Sequence, residues 1–309
     1  MSMPRNRTDH VSDIVAFWVG GPLTHYEHLS LRSFAAREYP VNLYTYEPDL
    51  DPPLGVTLQD ARDVLPLAGL AEALIERRAF ALLSDIIRYR LLASGPTGRT
   101  WIDADVVLLA DRLPDEPYLF AWQDPALING AVLRIPSGSP LLTGLLDAVD
   151  GLDADEAVAA GWGTFGPQLI TRMAAEHGLS ARAQLPGSLY PIYYRQTWRM
   201  FDPGSAEWCA RATDGAFAIH LWNEIIRRAG LREVRPPDGS FLAQLFARNG
   251  IDAPATSVSR RDLRRWAADI DAEQRSALYR IRRRARKRAK RSMRRLRSAL
   301  RPIKRILRR

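Results

Sequence analysis

The run Trp101-Ile102-Asp103-Ala104-Asp105-Val106-Val107-Leu108-Leu109 constrains the fold more than any other segment. Its apolar residues are those of a buried strand, and two carboxylates interrupt them. In a strand, residues i and i+2 lie on one face. Asp103 and Asp105 are therefore expected to share a face at the end of an apolar strand. Carboxylates placed there are costly unless solvated or bound to a cation. A solvated turn satisfies them, and so does a hard divalent ion such as Mn2+ or Mg2+, which takes oxygen ligands of this kind. An Asp-x-Asp arises by chance about once in a chain of this size, so the segments around it carry the decision.

Those segments alternate in character. Ile14–Val19 is an apolar run ending at Gly20-Gly21-Pro22, which reads as a buried strand and a tight turn. A helix pattern covers Tyr26–Arg37, and Val41–Tyr46 alternates as a strand does. Pro48, Pro52, Pro53 and Gly55 make a loop. Leu67–Ala93 has helical periodicity, with Phe80–Ala93 as its second helix and Gly95-Pro96-Thr97-Gly98 as its stop. Asn129–Ile135 and Phe217–Trp222 are further strands, and Pro140–Val149 and Gly166–Glu176 are helices. The aromatic stretch 186–215 reads as irregular and substrate-facing. Strands alternating with helices predict an α/β sheet flanked by helices.

The single cysteine, Cys209, excludes an internal disulfide framework and a Cys-rich zinc site, and it fits a reducing compartment. No segment approaches the roughly 20 apolar residues of a spanning helix, and the polar N-terminus lacks the apolar core of a secretory signal. The expected location is the cytoplasm, at the inner face of the membrane.

That last expectation comes from charge. The chain carries 44 Lys/Arg and 35 Asp/Glu, net +9, but 17 of the Lys/Arg fall in residues 280–309, which hold no acid. The other 279 residues keep 27 Lys/Arg against 35 Asp/Glu, net −8. An acidic body and an intensely basic tail have different partners. In the tail Ile281, Ala285, Ala289, Met293, Leu296, Leu300, Ile303 and Leu307 recur at spacings of 4, 4, 4, 3, 4, 3 and 4, a narrow apolar stripe on a cationic helix. This predicts an amphipathic helix on an anionic membrane surface. Nucleic acid, an acidic protein or no partner at all are the alternatives. The division expected is 1–258 as one domain and 259–309 as a basic helical tail.

Read in order, the chain presents Trp-Val-Gly-Gly, Ser84-Asp85-x-x-Arg88-Tyr89, Trp101-Ile102-Asp103-x-Asp105-Val106, Asn129-Gly130-Ala131, Gly166-Pro167 and His220-x-Trp222. This order resembles the DXD-containing glycosyltransferases of family thirty-two, which are related to capsular polysaccharide transferases, α-1,4-galactosyltransferases and the glucosylating toxins. The resemblance spans roughly residues 14 to 225 and is tightest from Ser84 to Val106. It implies a GT-A-type nucleotide-sugar-binding sheet, a divalent metal, a nucleotide-sugar donor (a UDP-sugar first, GDP-mannose second) and retention of anomeric configuration. The acceptor it implies is a cell-envelope glycan or a lipid-linked glycan.

Carried onto this sequence, the resemblance makes Trp18 the aromatic that stacks on the nucleobase. Ser84, Asp85 and Arg88 become the helix residues that contact the donor sugar and diphosphate. Trp101 stands where the family has Tyr. Asp103 faces ribose, sugar and metal, and Asp105 is the direct metal ligand. Asn129 approaches the donor sugar or acceptor, Trp222 closes over the diphosphate, and His220 adds a metal or phosphate contact. Arg88, Asp103 and Asp105 are the catalytic set. Two departures, Trp for Tyr at position 101 and the longer 94–100 loop in place of Gly-Gly, bear on donor preference. Asp124 and Glu224 have no assignment. The rival function is a nucleic-acid-binding protein that uses the tail, but nucleic-acid modules have basic folded surfaces and this body is acidic.

Overall fold

The structure is a computed structural model that describes residues 12–96, 98–272 and 275–276. The chain divides between Val258 and Ser259 into two units. In the second, residues 260–272 are helical. The basic run 280–309 and its expected amphipathic helix lie outside the described residues.

In chain order the first unit has strand β1 (Ile14–Trp18), helix α1 (His25–Ala35), β2 (Val41–Thr45), β3 (Val56–Asp60), α2 (Leu70–Glu76) and α3 (Phe80–Ser94). Then come β4 (Thr100–Ile102), β5 (Val106–Leu108), β6 (Leu119–Asp124), β7 (Leu127–Arg134), α4 (Pro140–Asp147), α5 (Ala154–Ala159) and α6 (Pro167–Glu176). Short helices α7 (Pro186–Leu189), α8 (Trp198–Phe201) and α9 (Ala206–Ala212) precede β8 (Ala218–His220), α10 (Asn223–Arg228) and α11 (Phe241–Asn249).

Six strands form one sheet in the order β3-β2-β1-β4-β7-β6. β3, β2, β1 and β4 run parallel, while β7 and β6 are antiparallel additions. The alternation of each strand sends its side chains into two cores. Val15, Phe17, Trp101 and Leu133 pack with Leu83, Ile86, Ile87 and Leu91 of α3 on one face. Ile14, Ala16, Ile102 and Val132 pack with Leu31 and Phe34 of α1 on the other. The α/β fold class predicted from the sequence is the one observed.

Three local expectations change. The run 101–109 is not one strand. β4 ends at Ile102, residues 104–105 turn, and β5 begins at Val106 in a separate two-stranded sheet with β8. Asp103 thus precedes the turn and Asp105 lies in it, and a strand's two-residue period does not bring them together. The segment Gln123–Asn129 is a hairpin between β6 and β7, and Asp124 is its turn residue, accepting the Ala126 and Leu127 N–H groups at 2.9 and 3.1 Å. Residues 186–215 contain α7, α8 and α9 as well as irregular chain.

Candidate active site

β1 pairs with β2 on one side and with β4 on the other, so the order of the parallel strands reverses between β1 and β4. A crevice opens at such a switch point, outside the carboxyl ends of the strands. The β1–β4 ladder stops at Val15–Trp101. The strands part just before Trp18 on one and Asp103 on the other.

Asp103 is held from below. Arg88 of α3 donates from one Nη to Asp103 Oδ1 at 2.8 Å and from the other to Asp85 Oδ1 at 2.7 Å. The Trp101 indole N–H donates to the same Asp103 oxygen at 2.7 Å, and the Arg88 guanidinium lies 5.0 Å over the Trp101 ring. Arg88 is buried, and taking its charge out of water is tolerable only because two carboxylates and an aromatic face meet it. Both sides of this pair need glycine. A Cβ on Gly166 would stand 2.7 Å from Asp85 Oδ2, and one on Gly130 would meet Arg88. Burial pushes the Asp85 carboxyl up to about 6, against the pull of Arg88, whose charge is shared with Asp103.

Asp105 is held from the far end of the chain. β5 and β8 pair antiparallel with Val106 opposite His220, which brings His220 Nε2 to 3.0 Å from Asp105 Oδ1. The Asn223 backbone N–H donates to Asp105 Oδ2 at 2.8 Å, and Leu221 N–H donates to the Asp105 carbonyl at 2.8 Å. Burial opposes the charge on Asp105, but His220 and the Asn223 N–H outweigh it and hold its carboxyl below the usual range. Burial likewise opposes charge on His220, and Asp105 overcomes it and raises the imidazole above its ordinary value.

One ligand atom each from Asp103, Asp105 and His220 lie within 4.8 Å of one another. Asp103, with its side chain 29% exposed, is the open member. His220 Nδ1 is buried and has no hydrogen-bond partner. Two carboxylates and an imidazole with an unpartnered ring nitrogen form a donor set that fits a divalent ion such as Mn2+ or Mg2+.

The remaining expected residues take varied places. Trp18 closes β1, half-buried, with its indole N–H on the Gly21 carbonyl at 2.7 Å and Arg232 5.5 Å over its ring. Trp222 lies against His220, ring centroids 4.0 Å apart, and donates to the Ile192 carbonyl at 2.9 Å. Ser84 is half-buried on α3, one residue before Asp85. Asn129 is buried and occupied, donating to Gln123 Oε1 at 2.7 Å and accepting from Ala131 N–H at 2.7 Å.

Two expected site residues are engaged within the protein. Trp101 is fully buried, so it offers no face to a donor and acts by holding Asp103 and backing Arg88. Arg88, expected on the diphosphate, spends both Nη groups on carboxylates. It orients Asp103. Glu224 is exposed and paired with Arg227 and Arg228 on α10.

The sequence reading missed Glu27, Glu47, Tyr190 and Asn223. Glu47 accepts the Gly20 and Gly21 N–H groups at 2.8 and 3.1 Å and fixes the turn after Trp18, where both glycines have φ above +100°. The Tyr190 hydroxyl accepts the Val132 N–H at 3.1 Å, and its ring is 6.0 Å from that of His220. A Thr-x-x-Glu capping signature at Thr24–Glu27 was legible in the sequence. Its link to Asn223 was not.

At the switch point of the sheet, the Asp-x-Asp turn and a late histidine thus come together. Residues 158–251 match the alpha 1,4-glycosyltransferase conserved region. Over 209 residues the chain is 27% identical to the lactosylceramide 4-alpha-galactosyltransferase of Rattus norvegicus, an alignment covering 62% of this chain and 54% of that protein. The chain thus spans about half the length of that curated relative. The solved structure of the PaToxG glycosyltransferase aligns with a TM-score of 0.41 at 14% identity, over 55% of this chain and 71% of that one. The expected resemblance to glycosyltransferases is borne out at the level of sequence similarity. Among the described residues, no helix is long and apolar enough to cross a membrane.

Proposed function

We propose that the chain is a retaining, divalent-metal-dependent glycosyltransferase. It moves a sugar from a nucleotide sugar, a UDP-sugar first and GDP-mannose second, to a cell-envelope glycan or glycolipid at a membrane surface. The observation that carries this reading is the convergence of Asp103, Asp105 and His220, from segments more than a hundred residues apart, at the strand switch point. The relative's name specifies a galactosyl group and a glycolipid acceptor, which favours a galactosyl or similar hexosyl donor here.

The acceptor hydroxyl attacks the anomeric carbon on the face from which the leaving group departs. The C–O bond to the β-phosphate breaks, the new glycosidic bond forms, and the hydroxyl proton passes to the departing phosphate oxygen. A bound Mn2+ or Mg2+ would offset the charge developing on the diphosphate. Asp103, Asp105 and His220 would hold it. Arg88 and Asp85 fix Asp103, Trp18 supplies a ring at the end of β1 for the nucleobase, and Trp222 borders the cluster and excludes water from it.

The test is thermal stability against UDP-, GDP-, CMP- and dTDP-sugars, with and without Mn2+. A ligand that binds only the native state raises Tm by mass action, by about 2.7 kcal/mol of stability at a hundredfold excess over Kd. One nucleotide class is expected to raise Tm, and only with Mn2+ present. No shift with any donor in a folded sample would transfer the function to the tail and to nucleic acid.

A further inference from the structure

We propose that Glu27, in the first turn of α1, is a positioning residue for Asp105 and His220, acting through Asn223. The consequence for metal affinity rests on the metal reading above, and the consequence for local order does not.

Glu27 is 1% exposed. Its Oε2 accepts the Thr24 N–H at 2.7 Å, which closes the capping box of α1. That box needs one carboxylate oxygen. The other, Oε1, accepts Asn223 Nδ2 at 2.6 Å across 196 residues of sequence. Asn223 in turn gives its backbone N–H to Asp105 Oδ2, while His220, three residues earlier, meets Asp105 Oδ1. Both oxygens of Asp105 are therefore oriented by the segment 220–223, and Glu27 anchors its end.

The anchor has strain to hold. Trp222 lies at φ 60°, ψ 52°. That is the left-handed region, which a bulky side chain occupies only where surrounding contacts enforce it. The segment is held by the β5–β8 pairing, the His220 and backbone bonds to Asp105, the Trp222 indole on Ile192 O, the rings of Tyr190 and Tyr194 beside Trp222, and, at its end, the Glu27–Asn223 bond. Without the last, Trp222 can relax, which carries the Asn223 N–H away from Asp105 and the ring of Trp222 away from His220. Outer partners of this kind set metal affinity by fixing the orientation of the ligands. Asn223 Oδ1 is buried and unpartnered. A glutamine at position 27 can therefore keep the tie once the Asn223 amide turns over: its oxygen accepts from Thr24 while its amide donates to Asn223 Oδ1.

The experiment uses the full chain with Asn223→Ala, Glu27→Ala, Glu27→Gln and Thr24→Ala. Three quantities are read: hydrogen exchange of residues 220–223 in metal-free protein, Mn2+ affinity by electron paramagnetic resonance, and Tm. Asn223→Ala and Glu27→Ala are expected to lose protection at 220–223 and to bind Mn2+ roughly 10- to 100-fold more weakly. Glu27→Gln restores most of both. Thr24→Ala lowers Tm through the weakened cap but leaves exchange at 220–223 and Mn2+ affinity as in the wild type. Wild-type protection at 220–223 in Asn223→Ala and Glu27→Ala overturns the proposal. So does a loss of Mn2+ affinity that tracks Tm across all four variants. Loss of local protection in a wild-type protein that never binds Mn2+ would sink the metal reading and leave the positioning role standing.

Discussion

At the scale of single residues, the two aspartates of the Asp-x-Asp turn differ in what holds them, and their variants should differ accordingly. Asp105 accepts an N–H and faces an imidazole. Asp105→Asn keeps the shape and the acceptor while removing the charge. It should reduce Mn2+-dependent donor hydrolysis on the order of a hundredfold, the scale on which single electrostatic groups act. Its urea midpoint should stay close to wild type, and an active variant would place the metal elsewhere. Arg88→Met is the converse. It leaves Asp85 and Asp103 without their shared cation, and breaking a buried pair from one side costs about 3–5 kcal/mol. Urea unfolding should register that loss, with activity falling too because Asp103 is no longer oriented. The same pair shows what sequence could convey. The helical spacing of Asp85 and Arg88 put them on one face, but their burial and the reach of Arg88 to Asp103 depend on Gly130 and Gly166 leaving room. No local pattern encodes that room.

At the scale of elements, the strongly periodic segments were legible and the short ones were not. β1, β2, α1, α3 and β7 follow from apolar periodicity with clear stops. β3 is a five-residue, half-buried edge strand after a proline-rich loop, and β6 carries apolar residues on both faces and two register shifts, so neither shows a clean period of two. The split of 101–109 into β4 and β5 escaped the sequence because its cause is remote: β5 leaves the main sheet to pair with β8, 110 residues on. Helix α1 offers an element-level test. His25 opens that helix, packed 4.1 Å from the Tyr26 ring and 5.4 Å from Phe246. Burial lowers its imidazole from 6.5 to about 4, over a smaller opposing hydrogen bond to the Val234 carbonyl. Burial moves His28 the same way. Between these values the unfolded chain binds a proton that the folded chain does not. The share of stability that depends on His25 is therefore complete above about pH 7, falls as pH drops through 6.5 toward 4, and levels off below, while Asp85 and His220 act in the opposite sense. Allowing for the partial exposure of His25, the loss is about 2 kcal/mol. His25→Gln should flatten the urea-midpoint profile between pH 7 and 5, and an unchanged slope would assign it to other groups.

At the scale of the whole molecule, charge separates the parts more sharply than any motif. Residues 1–279 are net −8 and residues 280–309 are +17. An acidic body repels anionic lipid and nucleic acid alike, so any attraction to either must come from the tail. Each Lys/Arg near an anionic surface contributes about 1 kcal/mol, and the contribution decays within a Debye length of ~8 Å at physiological salt. The spacing of apolar residues from Ile281 to Leu307 in the sequence favours lipid as the expected polyanion. A bilayer interface takes up an apolar face, whereas a phosphate backbone has no use for one. The full chain should therefore sediment with phosphatidylserine vesicles and stay in solution with phosphatidylcholine vesicles. Raising salt should weaken that binding without abolishing it, because the stripe's share is not screened. Removing residues 280–309 should leave the protein in the supernatant at every salt concentration and keep Mn2+-dependent donor hydrolysis. A truncated protein that still sediments would place the membrane contact on the acidic body. Retention on DNA with no vesicle binding would give the tail to nucleic acid and overturn the proposed membrane acceptor.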